Sequence, residues 1–328
     1  MLIDPFGRHI TYMRISITDR CNLRCAYCQP LAGLKWLPKE ELMTADEIVQ
    51  FVETAASLGI NKIRLTGGEP LLRPDLLEIV QRVAQIPAIR DLSLTTNAVL
   101  LAPMAAQLAQ AGLKRVNISL DTLEAEKFHR ITRFGRFDLA WQGILAAEAA
   151  GLTPIKLNTV VVGGLNEDEI PALARLALDH PWHVRFIELM PVANDQDWGD
   201  GLPPVEQRYV SVQRMHSLLR DLALEPLASS DGNGPERSYR VPGGLGTVGF
   251  ISPVGEDFCS NCNRLRLTAD GHLRSCLLVD REISIREVLH RGEDLKSLII
   301  KAVAEKPKGH ELKQHHYPEV RRMSQIGG

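Results

Sequence analysis

The chain has 328 residues, of which 45% are hydrophobic and 24% charged, and its formal net charge is −2. This composition is typical of a globular protein with one large domain, or one large and one small domain. A near-neutral chain lacks the basic field that binds nucleic acid, no apolar run reaches the roughly 18 residues of a membrane span, and no export segment begins the sequence. We therefore expect a cytoplasmic protein that binds neither nucleic acid nor membrane.

Strands alternate with helices over the first 190 residues. Short β-like runs cover 12–18, 62–66, 91–96, 115–121, 155–162 and 183–190. Amphipathic segments lie between them, at 44–58, 76–85, 101–111, 124–133 with 139–150, and 167–179. Thr44 with Glu47 predicts a capping box, and Gly59 and Gly151 predict helix ends. Alternation of this kind predicts a parallel sheet with helical crossovers.

Each predicted strand has one polar and one apolar face. In the second strand, Lys62, Arg64 and Thr66 alternate with Ile63 and Leu65. Side chains two residues apart share a face, so the apolar face meets the helices and the polar face lines an interior. A closed eight-stranded barrel fills that interior with branched apolar side chains. We therefore predict an α/β fold, an incomplete TIM-like barrel of about six strands around a wet, charged cavity.

The remainder of the chain is less regular. Residues 191–240 are rich in Pro, Gly and Asp and predict a linker with one peripheral helix at 212–222. Strand-like runs at 246–253 and 265–277 follow, and Asp270-Gly271 predicts a hairpin turn in the second. Helices are predicted at 284–290 and 294–305, before a polar tail. We predict a barrel domain at 1–190, a linker with a peripheral helix at 191–240, and a smaller α+β domain at 241–328.

Six cysteines form two triplets, and the first, Cys21-x3-Cys25-x2-Cys28, follows the first predicted strand. Disulfides are rare in the cytosol, and three cysteines cannot all pair with one another. Three thiolates on one loop can ligate three irons of a cubane and leave the fourth iron open, as catalytic metal sites keep an open position. A zinc site with a fourth ligand elsewhere in the chain also fits this spacing.

The second triplet is spaced Cys259-x2-Cys262-x13-Cys276. The predicted hairpin brings its last cysteine back to the first two. A structural zinc site completed by a histidine such as His272 stays open on spacing alone. Arg264 and Arg266 share one strand face beside the triplet, which suits bidentate contact with an anion, although a solvated strand face shows the same pattern.

The segment 14–30 (RISITDRCNLRCAYCQP), with Tyr27 before its third cysteine, resembles the radical S-adenosylmethionine superfamily. The resemblance extends to 66–70 (TGGEP), which in that family contacts the amino end of the cofactor's methionine. The glycine pair suits a close approach of backbone to a ligand. The resemblance implies reductive cleavage of S-adenosylmethionine to a 5′-deoxyadenosyl radical, chemistry that the cofactor carries.

Over nearly its whole length the chain resembles the GTP 3′,8-cyclases of molybdenum cofactor biosynthesis. The similarity includes 263–266 (NRLR) beside the second triplet, 306–310 (KPKGH) and the terminal 323–328 (MSQIGG). It implies a TIM-like radical S-adenosylmethionine barrel and a C-terminal auxiliary iron–sulfur domain. It also implies two [4Fe-4S] clusters, with the ligands Cys21, Cys25 and Cys28 for one and Cys259, Cys262 and Cys276 for the other.

The same resemblance implies roles for residues along the strands. The implied S-adenosylmethionine contacts are Tyr27, Gly68, Ser119 and Met190. The implied GTP contacts are Arg14, Lys62, Arg64, Thr95, Lys156, Arg185, Arg264, Leu265 and Arg266, and the implied catalytic residues are Arg14, Arg264 and Arg266. Several of these side chains already belong to the polar strand faces. Cations around one lumen without matching acids need an anion, whereas salt bridges at the edge of the core would be a purely structural interpretation.

The implied reaction is lyase-type: radical cyclisation of GTP to (8S)-3′,8-cyclo-7,8-dihydroguanosine 5′-triphosphate, the first step of molybdenum cofactor (molybdopterin) biosynthesis. The implied partners are GTP, a flavodoxin-like reducing electron donor, the downstream cyclic pyranopterin monophosphate synthase and a second copy of the chain in a homodimer. In the resembled family the tail, here Gly327-Gly328, reaches into the active site. Two alternatives stay open: a radical maturase of a peptide or other small molecule with an auxiliary cluster, and a zinc-stabilised binding protein.

Overall fold

The first half of the chain is an open parallel sheet backed by helices. The computed structural model describes residues 1–191, 198–228, 236–255, 259–310, 312, 318 and 321–327. The parallel strands are β1 (Tyr12–Ser16), β2 (Lys62–Thr66), β3 (Asp91–Thr96), β4 (Arg115–Ser119), β5 (Lys156–Val161) and β6 (His183–Glu188). The helices between them are α1 (Ala45–Ser57), α2 (Leu76–Ala84), α3 (Ala105–Gln110), α4 (Ala125–Thr132), α5 (Phe137–Ala149) and α6 (Ile170–Asp179). The predicted incomplete, six-stranded barrel is confirmed.

The second half adds short strands and helices. The strands are β7 (Glu225–Pro226), β8 (Glu236–Arg240), β9 (Thr247–Ile251), β10 (Arg264–Leu267), β11 (His272–Arg274) and β12 (Ile283–Ser284). The helices are α7 (Val212–Ser217), α8 (Arg286–Arg291), α9 (Leu295–Ala304) and α10 (Met323–Ile326). The predicted hairpin is present, because β10 and β11 pair antiparallel around Gly271, whose φ is +80°. None of the helices in the described ranges has the length and hydropathy of a membrane crossing.

One sheet joins the two halves. Its strand order is β12-β11-β10-β1-β2-β3-β4-β5-β6-β9-β8-β7, with β10 parallel to β1 and β9 parallel to β6. The linker prediction is wrong for Glu236–Arg240, which form β8 against β9. The physical reason is a two-residue alternation, since Tyr239 packs on Phe250 with ring centroids 5.6 Å apart while Glu236 and Ser238 face the cavity. β6 ends at Glu188 and β8 ends at Arg240, and both belong to this one sheet. The domain limits at 190 and 240 stay predictions.

The predicted division of each strand into two faces is what builds the core. Ile15, Ile63 and Leu65 are fully buried in one apolar cluster with the helices. Arg14 and Arg64, which alternate with them, line a cavity on the other side of the sheet. Burial of the apolar face stabilises the fold at about 25 cal/mol per Å², and the polar face is left for function.

A capping box ties the C-terminal part to the first helix. The Glu47 amide donates to the Thr44 hydroxyl at 3.2 Å, and the Thr44 amide donates to the Glu47 carboxylate at 2.6 Å, as predicted. The same carboxylate accepts from Arg286 at 3.0 Å and lies 2.6 Å from His290 on α8. Gly59 and Gly151 adopt φ of +111° and +74° where the helices end, which confirms both predicted stops.

The core makes a direct prediction for stability. Ile63 has no exposed surface, so Ile63→Ala leaves a cavity and should cost about 2–5 kcal/mol. We expect a clear fall in the thermal unfolding midpoint, measured by circular dichroism. Ile300 on α9 is 50% exposed, and Ile300→Ala should change stability by no more than about 0.5 kcal/mol. Equal losses in the two variants would contradict the assignment of the apolar strand face to the core.

Candidate active site

Two adjoining cavities lie inside the barrel. The smaller has a volume of about 220 Å³ and is lined by Cys21, Cys25 and Cys28 among others. The larger has a volume of about 880 Å³ and includes Cys259, Cys262 and Cys276 in its wall. Residues that line both cavities are Thr95, Asn158, Ile187, Met190 and Met323. The structure therefore brings both triplets to one continuous lumen, although they are more than 230 residues apart in the chain.

The first cysteine loop is held by main-chain contacts to the end of α4. The amides of Arg24 and Ala26 donate to the carbonyls of Thr132 and Ile131, both at 3.0 Å. Arg133, in a left-handed conformation with φ of +65°, donates to the carbonyls of Arg24 and Gln29 at 3.1 Å. The loop is therefore shaped by residues about 100 positions later in the chain, which keeps its three thiols together in the cavity wall.

The surroundings of these thiols favour the protonated form while no metal is bound. All three are free. Burial raises the pKa of Cys21 to about 12 and that of Cys28 to about 11. Such thiols stay protonated at neutral pH until a metal displaces the proton, because the thiolate is the ligand form.

The glycine pair in 66–70 packs against the chain itself. A methyl group on Gly67 would overlap the Thr18 carbonyl oxygen, and one on Gly68 would overlap that of Arg20. The Gly68 amide donates to the Thr18 carbonyl at 2.8 Å. We predicted that these glycines allow a ligand to approach the backbone. In the structure, the chain segment that approaches them closely is the one just before Cys21. They set the position of the loop, and both also line the smaller cavity.

Glu69 fastens this segment to the next strand. Its carboxylate accepts from the Thr96 hydroxyl at 2.8 Å and from the Asn97 and Leu71 amides at 2.7 and 3.1 Å. Burial raises the pKa of Glu69 to about 7 despite these donors. The loops after β1, β2 and β3 are therefore joined to one another at the smaller cavity.

The predicted S-adenosylmethionine contacts lie together. Tyr27, Gly68, Ser119 and Met190 all line the smaller cavity with the first triplet. The Tyr27 hydroxyl already donates to Asp121 at 2.6 Å, so the ring and backbone of Tyr27 are what a ligand can reach. Their contact with the cofactor stays a prediction.

The larger cavity is strongly basic. The lysine and arginine side chains that line it are Arg14, Lys62, Arg64, Arg90, Arg115, Lys156, Arg185, Arg264, Arg266 and Lys306. Of the predicted GTP contacts, Leu265 is the exception, since its side chain is fully buried in the apolar core. The reason is strand alternation, which turns Leu265 away from the face that Arg264 and Arg266 share. The Leu265 side chain is therefore corrected to a core residue, and its backbone alone can reach the lumen.

These cations destabilise one another. Burial, with the neighbouring Arg14 and Arg185, lowers the pKa of Arg64 to about 9, although the nearby Tyr12 acts in the opposite direction. Burial, with Arg185 nearby, lowers the pKa of Lys156 to about 8. Both shifts report a free-energy cost of keeping these groups charged inside the protein. A bound anion would relieve that cost.

Residues that the sequence analysis missed also belong to the lumen. Tyr12 lies 5.5 to 5.8 Å from the charged groups of Arg14, Lys62 and Arg64, measured to its ring centroid. Burial alone would raise the pKa of Tyr12, but Arg64 and Arg14 outweigh it and lower the pKa to about 7. Strand alternation could have found Tyr12, because it is two residues before Arg14. Asn158 carries a buried side-chain carbonyl oxygen that has no hydrogen-bond partner in the part of the chain that the structure describes.

The second triplet is held by both ends of the chain. Arg8 donates to the carbonyls of Cys259 and Pro307 at 2.7 and 2.6 Å. The Lys306 ammonium donates to the carbonyls of Arg264 and Ser275 at 2.8 and 2.6 Å. Lys306 therefore adds a buried cation beside the thiols, where thiolates would need one.

The zinc alternative named His272 as the fourth ligand. Its ring nitrogen instead lies 3.3 Å from Asp270 and 3.3 Å from Arg321, and His272 is not among the residues that line the larger cavity. The tail, in contrast, does enter the lumen: Met323 and Ser324 line the smaller cavity, and Arg266 donates to the carbonyls of Ile326 and Gly327. Gly328 lies outside the described residues.

Comparison with known proteins defines the class. Family models described as the Radical SAM superfamily and as Molybdenum Cofactor Synthesis C match residues 15–177 and 182–312. SuiB of Streptococcus suis, solved with S-adenosylmethionine, has a TM-score of 0.60 at 12% identity over 89% of this chain and 66% of that one. A radical SAM methyltransferase from Sphaerobacter thermophilus has a TM-score of 0.50 at 20% identity over 72% of this chain and 64% of that one. The fold is that of a radical SAM enzyme, and the family model spans the first cysteine triplet.

Full-length relatives narrow the assignment. A GTP 3′,8-cyclase of Moorella thermoacetica is 47% identical over 328 residues, covering 99% of each chain. One from Listeria monocytogenes is 46% identical over 336 residues, covering 100% of this chain and 99% of that one. The chain belongs to the GTP 3′,8-cyclase family of the radical SAM superfamily. This membership contradicts the alternative of a zinc-stabilised binding protein.

Gly68 gives a test of the smaller cavity. In Gly68→Ala the new methyl group must displace the Arg20 carbonyl, and overpacking of this kind costs about 1–3 kcal/mol. We expect the Kd for S-adenosylmethionine to rise about tenfold or more, measured by isothermal titration calorimetry of the reconstituted protein. Gly151→Ala, where nothing lies within 4 Å of the new methyl group although φ is +74°, should leave this Kd unchanged. Unchanged binding in Gly68→Ala would contradict the packing described.

Lys156 gives a test of the larger cavity by pH. Because its pKa is lowered to about 8, Lys156 is charged below that pH and neutral above it. Affinity for inorganic tripolyphosphate should therefore fall as the pH rises through about 8, as followed by calorimetry from pH 6.5 to 9.5. Lys156→Met should bind more weakly throughout and lose this step, whereas Lys114→Met, an exposed lysine outside both cavities, should keep it. A step retained in Lys156→Met would assign it to another group.

Proposed function

We propose that this protein cyclises GTP to (8S)-3′,8-cyclo-7,8-dihydroguanosine 5′-triphosphate, the first step of molybdenum cofactor biosynthesis. The observation that carries the proposal is the lumen, in which two adjoining cavities each have a cysteine triplet in the wall and the larger is lined by basic side chains. A radical can be made in one cavity while a polyanionic nucleotide lies in the next. Family membership over the full chain length supports the same reaction.

The first triplet and the smaller cavity fit the cofactor pair. Cys21, Cys25 and Cys28 would hold one [4Fe-4S] cluster with an iron left open, as three ligands allow. When bound, the cluster and S-adenosylmethionine supply the electron and the 5′-deoxyadenosyl radical that removes a hydrogen atom from C3′ of GTP. Tyr27, Gly68, Ser119 and Met190 are the proposed contacts that hold S-adenosylmethionine in place.

The larger cavity fits GTP. We propose that Lys62, Arg64, Lys156 and Arg185 bind the triphosphate, because cations buried among cations gain most from an anion. Thr95 lines both cavities, so it can contact the nucleotide where the two meet. C3′ and C8 belong to the same GTP molecule, so the protein can promote ring closure by holding these two atoms in the right relative position.

We place the nucleoside end of GTP beside the second triplet. Cys259, Cys262 and Cys276, which all line the larger cavity, would hold the second [4Fe-4S] cluster. Arg264 and Arg266 flank it from β10, with the Leu265 backbone between them, and Arg14 pairs in register with Arg266. We propose that Arg14, Arg264 and Arg266 stabilise the cyclised adduct, and that Arg14 is placed to supply a proton to it.

The partners belong to the proposal. GTP is the substrate, a flavodoxin-like protein supplies the electrons that the reaction consumes, and a cyclic pyranopterin monophosphate synthase takes the product. We also propose that the protein forms a homodimer and is cytoplasmic. A reducing compartment suits the proposed cluster ligands, because cysteines oxidise to disulfides elsewhere.

The decisive experiment is an anaerobic assay with GTP, S-adenosylmethionine and dithionite. Reconstituted protein should contain about eight iron and eight sulfide per chain. It should release 5′-deoxyadenosine only when GTP is present, with a product that has the mass of GTP because one hydrogen atom leaves and one electron and one proton replace it. Deoxyadenosine formation that does not depend on GTP would favour the alternative, a maturase of a peptide or other small molecule.

A matched pair of variants tests the second cluster. In Cys262→Ala we expect iron to fall from about eight to about four per chain and cyclisation to stop. Ser260→Ala, an exposed neighbour on the same turn, should keep all the iron and the activity. Full iron content or full cyclisation in Cys262→Ala would show that Cys262 is not a ligand.

A further inference from the structure

The larger cavity contains two carboxylates among the described residues that line it, Asp91 and Glu236. Asp91 is neutralised by two cations at the strand ends, Arg115 at 2.6 Å and Lys62 at 3.1 Å. Among the described residues, the one ion pair of Glu236 is with Arg185 at 3.3 Å, and the Glu236 and Arg185 side chains are nearly buried, at 13% and 8% exposed. A nearly buried carboxylate in a cavity for a polyanion is unexpected, because it repels the ligand.

The structure builds a specific place for this carboxylate. Gly249 on β9 pairs in register with Arg185 on β6 and with Ser238 on β8. A methyl group on Gly249 would lie 2.9 Å from the carboxyl carbon of Glu236, so the glycine leaves the space that Glu236 fills. The Ser238 hydroxyl donates to the second carboxylate oxygen at 3.1 Å. Glu236 is therefore held at the cavity wall and does not extend into solvent.

The contacts of Arg185 show what the carboxylate does. One terminal nitrogen of the guanidinium donates to Asn117 at 2.9 Å, and the other donates to Glu236 at 3.3 Å. The third nitrogen, Nε, is buried and makes no hydrogen bond to any residue that the structure describes. Two protein acceptors fix the guanidinium at the cavity wall, and each terminal nitrogen keeps a second N–H that a ligand can accept from.

Glu236 also acts on its neighbours. It opposes the lowering of the pKa of Lys156 and of His183, which are otherwise shifted down by burial and by nearby cations. Without an anion in the cavity, Glu236 therefore makes the charged forms of Lys156 and His183 less costly, although the pKa of both groups stays lowered. With a polyanion present, the same negative charge competes for Arg185 and Lys156.

We propose that Glu236 is a positioning residue for the phosphate chain: it aims Arg185 at the phosphates while its own charge limits how tightly they are held. This inference rests on the proposed function. In that reaction the charge of Glu236 has a chemical purpose. Substrate and product carry the same triphosphate, and a wall of cations alone would retain both. Moderating that shared contact lets the cyclised product leave.

The test is Glu236→Gln, which keeps the oxygen that accepts from Arg185 and removes the charge. We expect GTP and inorganic tripolyphosphate to bind roughly tenfold more tightly, with a smaller gain for GDP and the smallest for GMP. The gain should shrink as salt is added. Binding is measured by calorimetry on the reconstituted protein without reductant. Glu225→Gln, which removes the carboxylate of an exposed pair with Arg240 on the neighbouring strands, should leave all four affinities unchanged.

Glu236→Ala separates the orientation of Arg185 from the limit on phosphate affinity. It also replaces Glu236→Gln if that variant does not fold. It should also bind tripolyphosphate more tightly, but it should lose turnover because Arg185 is no longer aimed. Unchanged or weaker binding of tripolyphosphate and GTP in the folded variants, judged by full iron content, would overturn the inference. Failure of the wild-type protein to cyclise GTP would instead overturn the proposed function, and the tripolyphosphate comparison would still decide the role of Glu236.

Discussion

The structure depends on the two-residue alternation of a β-strand, applied to strands whose inner side chains are charged. Arg14 pairs in register with Arg64 on one side and with Arg266 on the other. Like charges opposite each other on neighbouring strands are destabilising, and burial adds to that cost. The apolar outer face, packed on the helices, offsets it. The buried cations of the interior would therefore be stabilised by a bound anion, which is the property that the proposed function needs.

Sheet continuity is what places the two cysteine triplets relative to each other. Because β10 joins the sheet next to β1, the hairpin that carries Cys276 is placed beside the strand that leads to Cys21. Arg8 and Lys306 fasten the second triplet from opposite ends of the chain, and the C-terminal tail closes on Arg266. A cleft between two independent domains could open and admit water. A single sheet keeps both cavities in fixed relation, which radical chemistry requires.

The loops at the lumen owe their shapes to distant groups. The first cysteine loop is fixed by Arg133, and the segment after β2 is fixed by Thr18 and Arg20. Glu69 then joins that segment to Thr96. These are main-chain and buried polar contacts, which are costly to break in a low-dielectric interior. A rigid site follows, and positioning is the main contribution that protein makes when the cofactor carries the chemistry.

The sequence by itself determined the periodic features: the six parallel strands, their polar faces, the capping box at Thr44, the helix ends and the two cysteine triplets. These depend on spacing along the chain, which any reader of the sequence can count. The tertiary structure alone decided that Glu236 lies in a strand beside Arg185, that Gly67 and Gly68 fit the backbone before Cys21, and that His272 faces Asp270 and Arg321. The physical reason is that such contacts join residues far apart in the chain, and local pattern carries no information on which of them meet.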